Sequence, residues 1–167
     1  TSINDAVVQT NNNTFYLTHS TDKTPNKAGA IFADYRNDFV NFDKNNIIYA
    51  HGRTDKIMFG TLKNTLDKSW YENTDNHLIY LSTLNQNTLW QIVSVYTIPE
   101  ETDYITTHFK DNKDYHNFLE MILDRSIHKF NTTLNTDDKI LTLSTCKGEG
   151  DIRIVVHAKL IKKQLFK

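Results

Sequence analysis

The run Lys139-Ile-Leu-Thr-Leu-Ser-Thr-Cys146, followed by Lys147-Gly-Glu-Gly-Asp-Ile-Arg153-Ile-Val-Val-His-Ala-Lys-Leu-Ile161, decides the fold of this chain. Apolar residues alternate with others in both halves, the period of a β-strand, and a Gly-containing break separates them. In the first strand Ile140, Thr142, Ser144 and Cys146 share one face, with Leu141, Leu143 and Thr145 on the other. In the second, Arg153, Val155, His157 and Lys159 share a side. If the two strands pair, Arg153 stands near Cys146 across a short loop. Cys146 is the only cysteine in the chain.

The segments before this pair continue the β pattern. Residues 5–9 read as a strand ended by the turn-forming 10–14, and 15–17 can begin either a helix or a strand. A polar loop follows over 18–27, then strand character over 29–35. The compact apolar run 46–51 ends on His51 with Gly52 directly after it, a chemical group at the mouth of a rigid element. Apolar residues at 58, 59, 62 and 66 predict a short helix broken near Trp70. Residues 77–82 and 88–98 flank Asn85-Gln-Asn87 and predict an antiparallel hairpin closed by Pro99. From about 114 to 130 the period becomes helical: Tyr115, Phe118, Leu119, Ile122, Leu123 and Ile127 fall on one face, with Asp111 or Asn112 as caps. About eight strands with two or three short helices predict a mainly β barrel or sandwich, formed by residues 1–167 as a single domain.

Composition narrows the function. With 19 basic against 20 acidic residues the net charge is −1, so no global field favours nucleic acid or an anionic membrane surface. One thiol makes no intramolecular disulfide and no Cys-based structural zinc site, which leaves it as buried filler or as a reactive group. No apolar run is long enough to span a bilayer, and residues 1–5 have no signal-peptide character, so any leader or anchor is expected outside this chain.

A free thiol has a pKa of about 8.5 and needs a base or cation beside it to act as a nucleophile. Of the histidines at 19, 51, 77, 108, 116, 128 and 157, only His51 ends a strongly apolar strand; His157 is the next candidate. His116 and His128 are expected on the helix and His19 in a loop. Arg153 supplies directional, permanently charged donors for an oxyanion. Taken singly, each feature has a plain structural reading: a buried Cys, a salt-bridged Arg, an incidental His. As a set they suffice for acyl transfer without a metal.

The set is also more specific than its parts. Thr142-Leu-Ser-Thr-Cys146, Arg153-Ile-Val-Val156, Ile48-Tyr-Ala-His51 and Met58-Phe-Gly-Thr-Leu62 resemble the sortases, cysteine transpeptidases of Gram-positive bacteria, and most of all their class B. Gly29-Ala-Ile-Phe-Ala-Asp-Tyr-Arg-Asn37 matches that class's Asp-Tyr-Arg-Asn segment, and Asp5-Ala-Val-Val-Gln9 is similar to its Pro-Val-Val-Gln strand. The histidine neighbourhood departs from the class pattern: Ala50-His51-Gly52 stands where Gly-His-Asn is usual.

The resemblance, over about 5–161, implies an eight-stranded sortase-type β-barrel in which the 114–130 helix walls the substrate groove. It implies Cys146 as nucleophile, His51 as acid/base, Arg153 as oxyanion or substrate stabiliser and Ser144 in support, with no cofactor and no metal. The implied partners are a surface-protein sorting-signal peptide, cleaved after Thr, and a peptidoglycan precursor or cross-bridge amine. The implied setting is a monomer at the extracellular face of the membrane, anchored by an N-terminal segment outside this chain. A cysteine hydrolase without transfer, a pilin-polymerising sortase and a non-catalytic β-rich binding module are the competing readings.

Overall fold

A computed structural model describes residues 3–146 and 152–166, and of Cys146 the backbone alone. The loop 147–151 expected between the closing strands, and the Cys146 side chain, lie outside the described residues. The strands are β1 (Phe32–Ala33), β2 (Asn45–His51), β3 (Leu78–Ser82), β4 (Gln86–Ile98), β5 (Ile140–Cys146) and β6 (Arg153–Leu165). They form one curled sheet, a half-barrel, in the order β1-β2-β5-β6-β4-β3. Every neighbouring pair is antiparallel except β2 and β5, which run parallel.

The alternation read in the closing strands is realised. Leu141 and Leu143 of β5 enter the main core with Ile48 and Ala50 of β2, Val156 and Ala158 of β6, and Trp90, Ile92 and Val95 of β4. On the opposite face Ile140 packs against Tyr115, Phe118, Leu119 and Ile122 of helix α2 (Asn112–Asp124), numbered after the short helix α1 (Lys68–Glu72). Asp111 caps α2 as expected, its side chain accepting from the Asp114 N–H at 2.8 Å. The strands of the hairpin pair antiparallel as predicted.

Several boundaries differ from the sequence reading, each for a local reason. Six strands are present among the described residues where eight were expected. Residues 5–9 make only an isolated bridge, Val8 to Phe32, because Gln9 turns its side chain onto the Asp34 and Asn37 carbonyls. Asn12 then accepts from the N–H groups of Thr14 and Phe15 and winds Phe15–Leu17 into a 3-10 turn. The 29–35 strand contracts to Phe32–Ala33 because the Asp34 carboxylate accepts from the Arg36 N–H and bends the chain. Such side-chain competition for the backbone is characteristic of Asn and Asp.

The 58–66 helix is a 3-10 helix over Phe59–Leu66, and the break comes at extended Asp67, so Trp70 lies inside α1 and not at an interruption. Helix α2 stops at Asp124, short of 130, because Ser126 Oγ accepts from Val95 N and Ile127 N donates to Val95 O. These bonds cover the edge of β4 beyond β3. They leave Ile127 exposed and His128 off the helix. The last strand runs on to Leu165, past Ile161.

Between β5 and α2 lies a dry polar layer. Thr142 Oγ1 donates to Asn45 Oδ1 at 2.6 Å and meets His157 Nδ1 at 2.8 Å, and His157 Nε2 meets the Tyr96 hydroxyl at 2.8 Å. Having spent its proton on Asn45, Thr142 accepts from Nδ1–H, so His157 Nε2 accepts from Tyr96. His157 is fully buried. Burial first, and the Arg125 charge second, push its pKa down to about 3. It is therefore a neutral structural group, and its standing as second candidate base is corrected.

Two outcomes follow from this packing. Unfolded His157 takes up a proton near pH 6.5, whereas the folded residue refuses it until about pH 3. Its contribution is thus complete above the higher value and falls on acidification by about 1.4 kcal/mol per pH unit. Urea midpoints of His157→Gln between about pH 7 and pH 4.5 should show a shallower fall than the native protein's; parallel curves would contradict the assignment. Gly29, at φ +67°, is the second: a Cβ there would lie 2.5 Å from Tyr16 O, 2.9 Å from Leu17 O and 3.0 Å from His51 Cδ2. Gly29→Ala should cost more than about 1 kcal/mol in urea denaturation, and an unchanged midpoint would contradict that packing.

Candidate active site

The parallel pairing of β2 with β5 sets the site. Its register runs from Asn45↔Ile140 to His51↔Cys146, so the terminal residues of the two strands are direct partners. On the other side of β5 the register Ser144↔Val155, continued two residues, brings Arg153 level with Cys146. Thr145 holds that junction, its Oγ1 accepting from Ile154 N at 2.9 Å. The backbone therefore brings three of the expected residues, His51, Cys146 and Arg153, to one end of adjacent strands.

His51 is half-buried, and its Nε2 lies 2.9 Å from the Leu17 carbonyl. A carbonyl only accepts, so Nε2 carries the hydrogen and Nδ1 of the neutral ring keeps its lone pair. The 3-10 turn over Phe15–Leu17 delivers that carbonyl, and Gly29 lets it pass close behind the ring. The Arg153 side chain is 16% exposed, and its Nη2 donates to Glu100 Oε1 at 2.9 Å. Ser144 takes a different place: it is fully buried, and its Oγ shares a 2.9 Å hydrogen bond with the Tyr104 hydroxyl. It braces the floor beneath the cleft and does not line it.

A cleft of about 330 Å³ opens here, walled by Asn13, Leu17, Phe32, Tyr49, His51, Glu100, Ile105 and Arg153. The remaining histidines stand elsewhere: His77 and His128 flank Tyr71, His19 stacks on Phe15, His108 bonds Thr107 and His116 pairs with Glu120. Of the lining residues, Asn13, Leu17, Tyr49, Glu100 and Ile105 were not picked out from the sequence. Leu17 acts through a carbonyl that any residue would supply, and Asn13 sits in a stretch that reads as a plain turn. Beneath the cleft, the Asp34 carboxyl is driven up by burial, but hydrogen bonds from Arg36 and Tyr49 outweigh that and hold it below the usual carboxylate value.

Among the described residues no group of three or more His, Cys, Asp or Glu is arranged to hold a metal ion. No described helix is long and apolar enough to cross a membrane.

Comparison with known proteins agrees with this geometry. The family model of the Sortase domain matches residues 3–161. Sortase B of Listeria monocytogenes is 34% identical over 166 residues, 98% of this chain and 67% of that protein. The structure of Bacillus anthracis sortase B superposes with a TM-score of 0.89 at 38% identity, covering 97% of this chain and 75% of that one. The Staphylococcus aureus sortase B–substrate complex gives a TM-score of 0.87 at 33% identity over 93% and 73% of the two chains. A match of this extent, over a cleft where a strand-end histidine partners the cysteine position, has one conclusion: the chain belongs to the sortase family, to its class B, and is a cysteine transpeptidase that anchors surface proteins.

Proposed function

We propose that Cys146 is the nucleophile, His51 the acid and base acting through Nδ1, and Arg153 the group that stabilises the oxyanion, with Ser144 bracing the site from below through Tyr104. The observation that carries this reading is the β2–β5 register, in which His51 and Cys146 are partners while Leu17 occupies the other imidazole nitrogen. The Cys146 thiolate attacks the carbonyl after a Thr in a sorting-signal peptide. The S–C bond forms, the C–N bond breaks, and protonated His51 gives its proton to the departing amine. An acceptor amine then attacks the thioester, passes its proton to His51 and releases the thiolate. Arg153 meets negative charge on the carbonyl oxygen in both halves, where one such donor is worth about 3 kcal/mol.

The acceptor in this reading is an amine of a peptidoglycan precursor or cross-bridge. A sortase B relative has been solved in complex with triglycine, a small amine-bearing peptide, which supports an amine entering the same cleft. All lining residues belong to one chain, so a monomer suffices. The whole chain serves as one catalytic domain, working at the extracellular face of the membrane where substrates and wall precursors meet.

Family membership sets aside the non-catalytic binding module. Hydrolysis without transfer is separated by product analysis. With a Thr-containing quenched-fluorescent pentapeptide and triglycine, we expect the triglycine adduct of the acyl fragment to displace the free acid as triglycine rises. A product that stays entirely free acid at saturating triglycine would establish a hydrolase. Arg153→Ala should slow both fates about a hundredfold or more, without redistributing them.

A further inference from the structure

The Asp34-Tyr-Arg-Asn37 segment takes no part in the chemistry above, yet it carries a fully buried carboxylate under the cleft. Asp34 Oδ1 accepts from Arg36 N at 3.0 Å and Arg36 Nε at 2.8 Å. Oδ2 accepts from Arg36 Nη2 at 2.6 Å, Asn13 Nδ2 at 2.9 Å and the Tyr49 hydroxyl at 2.9 Å. Asn13 and Tyr49 both line the cleft. Arg36 Nη2 also donates to the carbonyl of Ile105 at 3.0 Å, and Ile105 is a third lining residue.

These three lining residues come from segments far apart in sequence, and one side chain ties them together. Asn13 is fixed at both ends of its amide, since its Oδ1 accepts from the Tyr35 N–H at 3.0 Å. The ring of donors around Asp34 requires a charged acceptor: a neutral amide would turn its own N–H groups toward Arg36, Asn13 or Tyr49.

We propose that Asp34 is a positioning residue for substrate, a buried strut that sets the spacing of the Asn13, Tyr49 and Ile105 walls between which the sorting-signal peptide lies. The proposal rests on the reading of this cleft as the peptide site. Asp34 touches neither Cys146 chemistry nor His51, so its loss acts on peptide binding in ground and transition states alike and appears in KM more than in kcat.

The test compares Asp34→Asn and Arg36→Met with the native enzyme, using the Thr-containing quenched-fluorescent pentapeptide. Thermal melts define an assay temperature at which each variant is folded. We expect KM to rise about tenfold in Asp34→Asn and less in Arg36→Met, with kcat within about threefold of native. The rate of Cys146 alkylation by iodoacetamide should stay at the native value. Carbon-13 labelling of isoleucine methyls supplies a readout that needs no peptide: the Ile105 resonance should shift in both variants, and the Asn13 side-chain amide in Asp34→Asn. A lower melting point with native KM and native Ile105 and Asn13 resonances would reduce Asp34 to a stability residue and overturn the proposal. Equal loss of kcat and of alkylation rate would overturn it as well. If Asp34→Asn does not fold, Arg36→Met, which leaves the carboxylate in place, decides the Ile105 tie. A native enzyme that binds the peptide but never cleaves it would count against the catalytic reading, while the resonances and Kd still judge the strut.

Discussion

Seven consecutive pairs join β2 to β5 in parallel, from Asn45↔Ile140 to His51↔Cys146, and everything the molecule does chemically depends on that register. Partners across a sheet occupy the same row, so slipping by one residue would turn the row over to the other face. With the register as it stands, backbone positions 51, 146 and 153 form the last row of the central sheet, and Arg153 continues it to Ile98 of β4. The row below contains Tyr49, Ser144, Val155 and Tyr96; the next contains Ile47, Thr142, His157 and Ser94. Chemistry thus occupies the open end of the sheet, with a buried polar layer stacked beneath it.

That layer explains how polar residues can sit deep in a β protein of this size. A buried donor or acceptor without a partner costs about 1–3 kcal/mol. Asn45, Thr142, His157 and Tyr96 avoid the cost by bonding in sequence, and Asn45 Nδ2 also donates to the Tyr104 and Thr106 carbonyls at 3.1 and 2.9 Å. The segment bearing Ile105 is thereby held from below by Asn45 and from the side by Arg36. On the opposite flank Leu17 and Gly29 fix the orientation of His51. Rigid walls around a half-buried base are what acyl transfer needs, because the reacting groups are placed before the peptide arrives.

Much of this was legible from alternation and spacing. The two closing strands, the hairpin, the capped helix and the strand-end histidine all carry their signal in residues adjacent in sequence. The parallel partnership of β2 with β5 does not, because periodicity says which face a residue takes and nothing about which distant strand lies beside it. His51 and His157 both sit on strands; only the third dimension shows one at the mouth of a cleft and the other sealed beneath α2. Strands were overextended at 5–9 and 29–35 because Gln9, Asn12 and Asp34 capture backbone groups with their side chains, a competition invisible to an apolar pattern. Leu17 and Ile105 escaped because a backbone carbonyl and a place in a wall leave no mark in residue type.

The central claim is that Cys146, paired through the β2–β5 register with His51, carries the acyl group. Intact-mass measurement of the protein, acid-quenched during turnover of the Thr-containing pentapeptide without added amine, tests it most directly. The expected result is a thioester adduct of the acyl fragment, mapped by digestion to Cys146, discharged by triglycine and absent from Cys146→Ala. Peptide cleavage at the native rate by Cys146→Ala, or an adduct mapped to another residue, would contradict it.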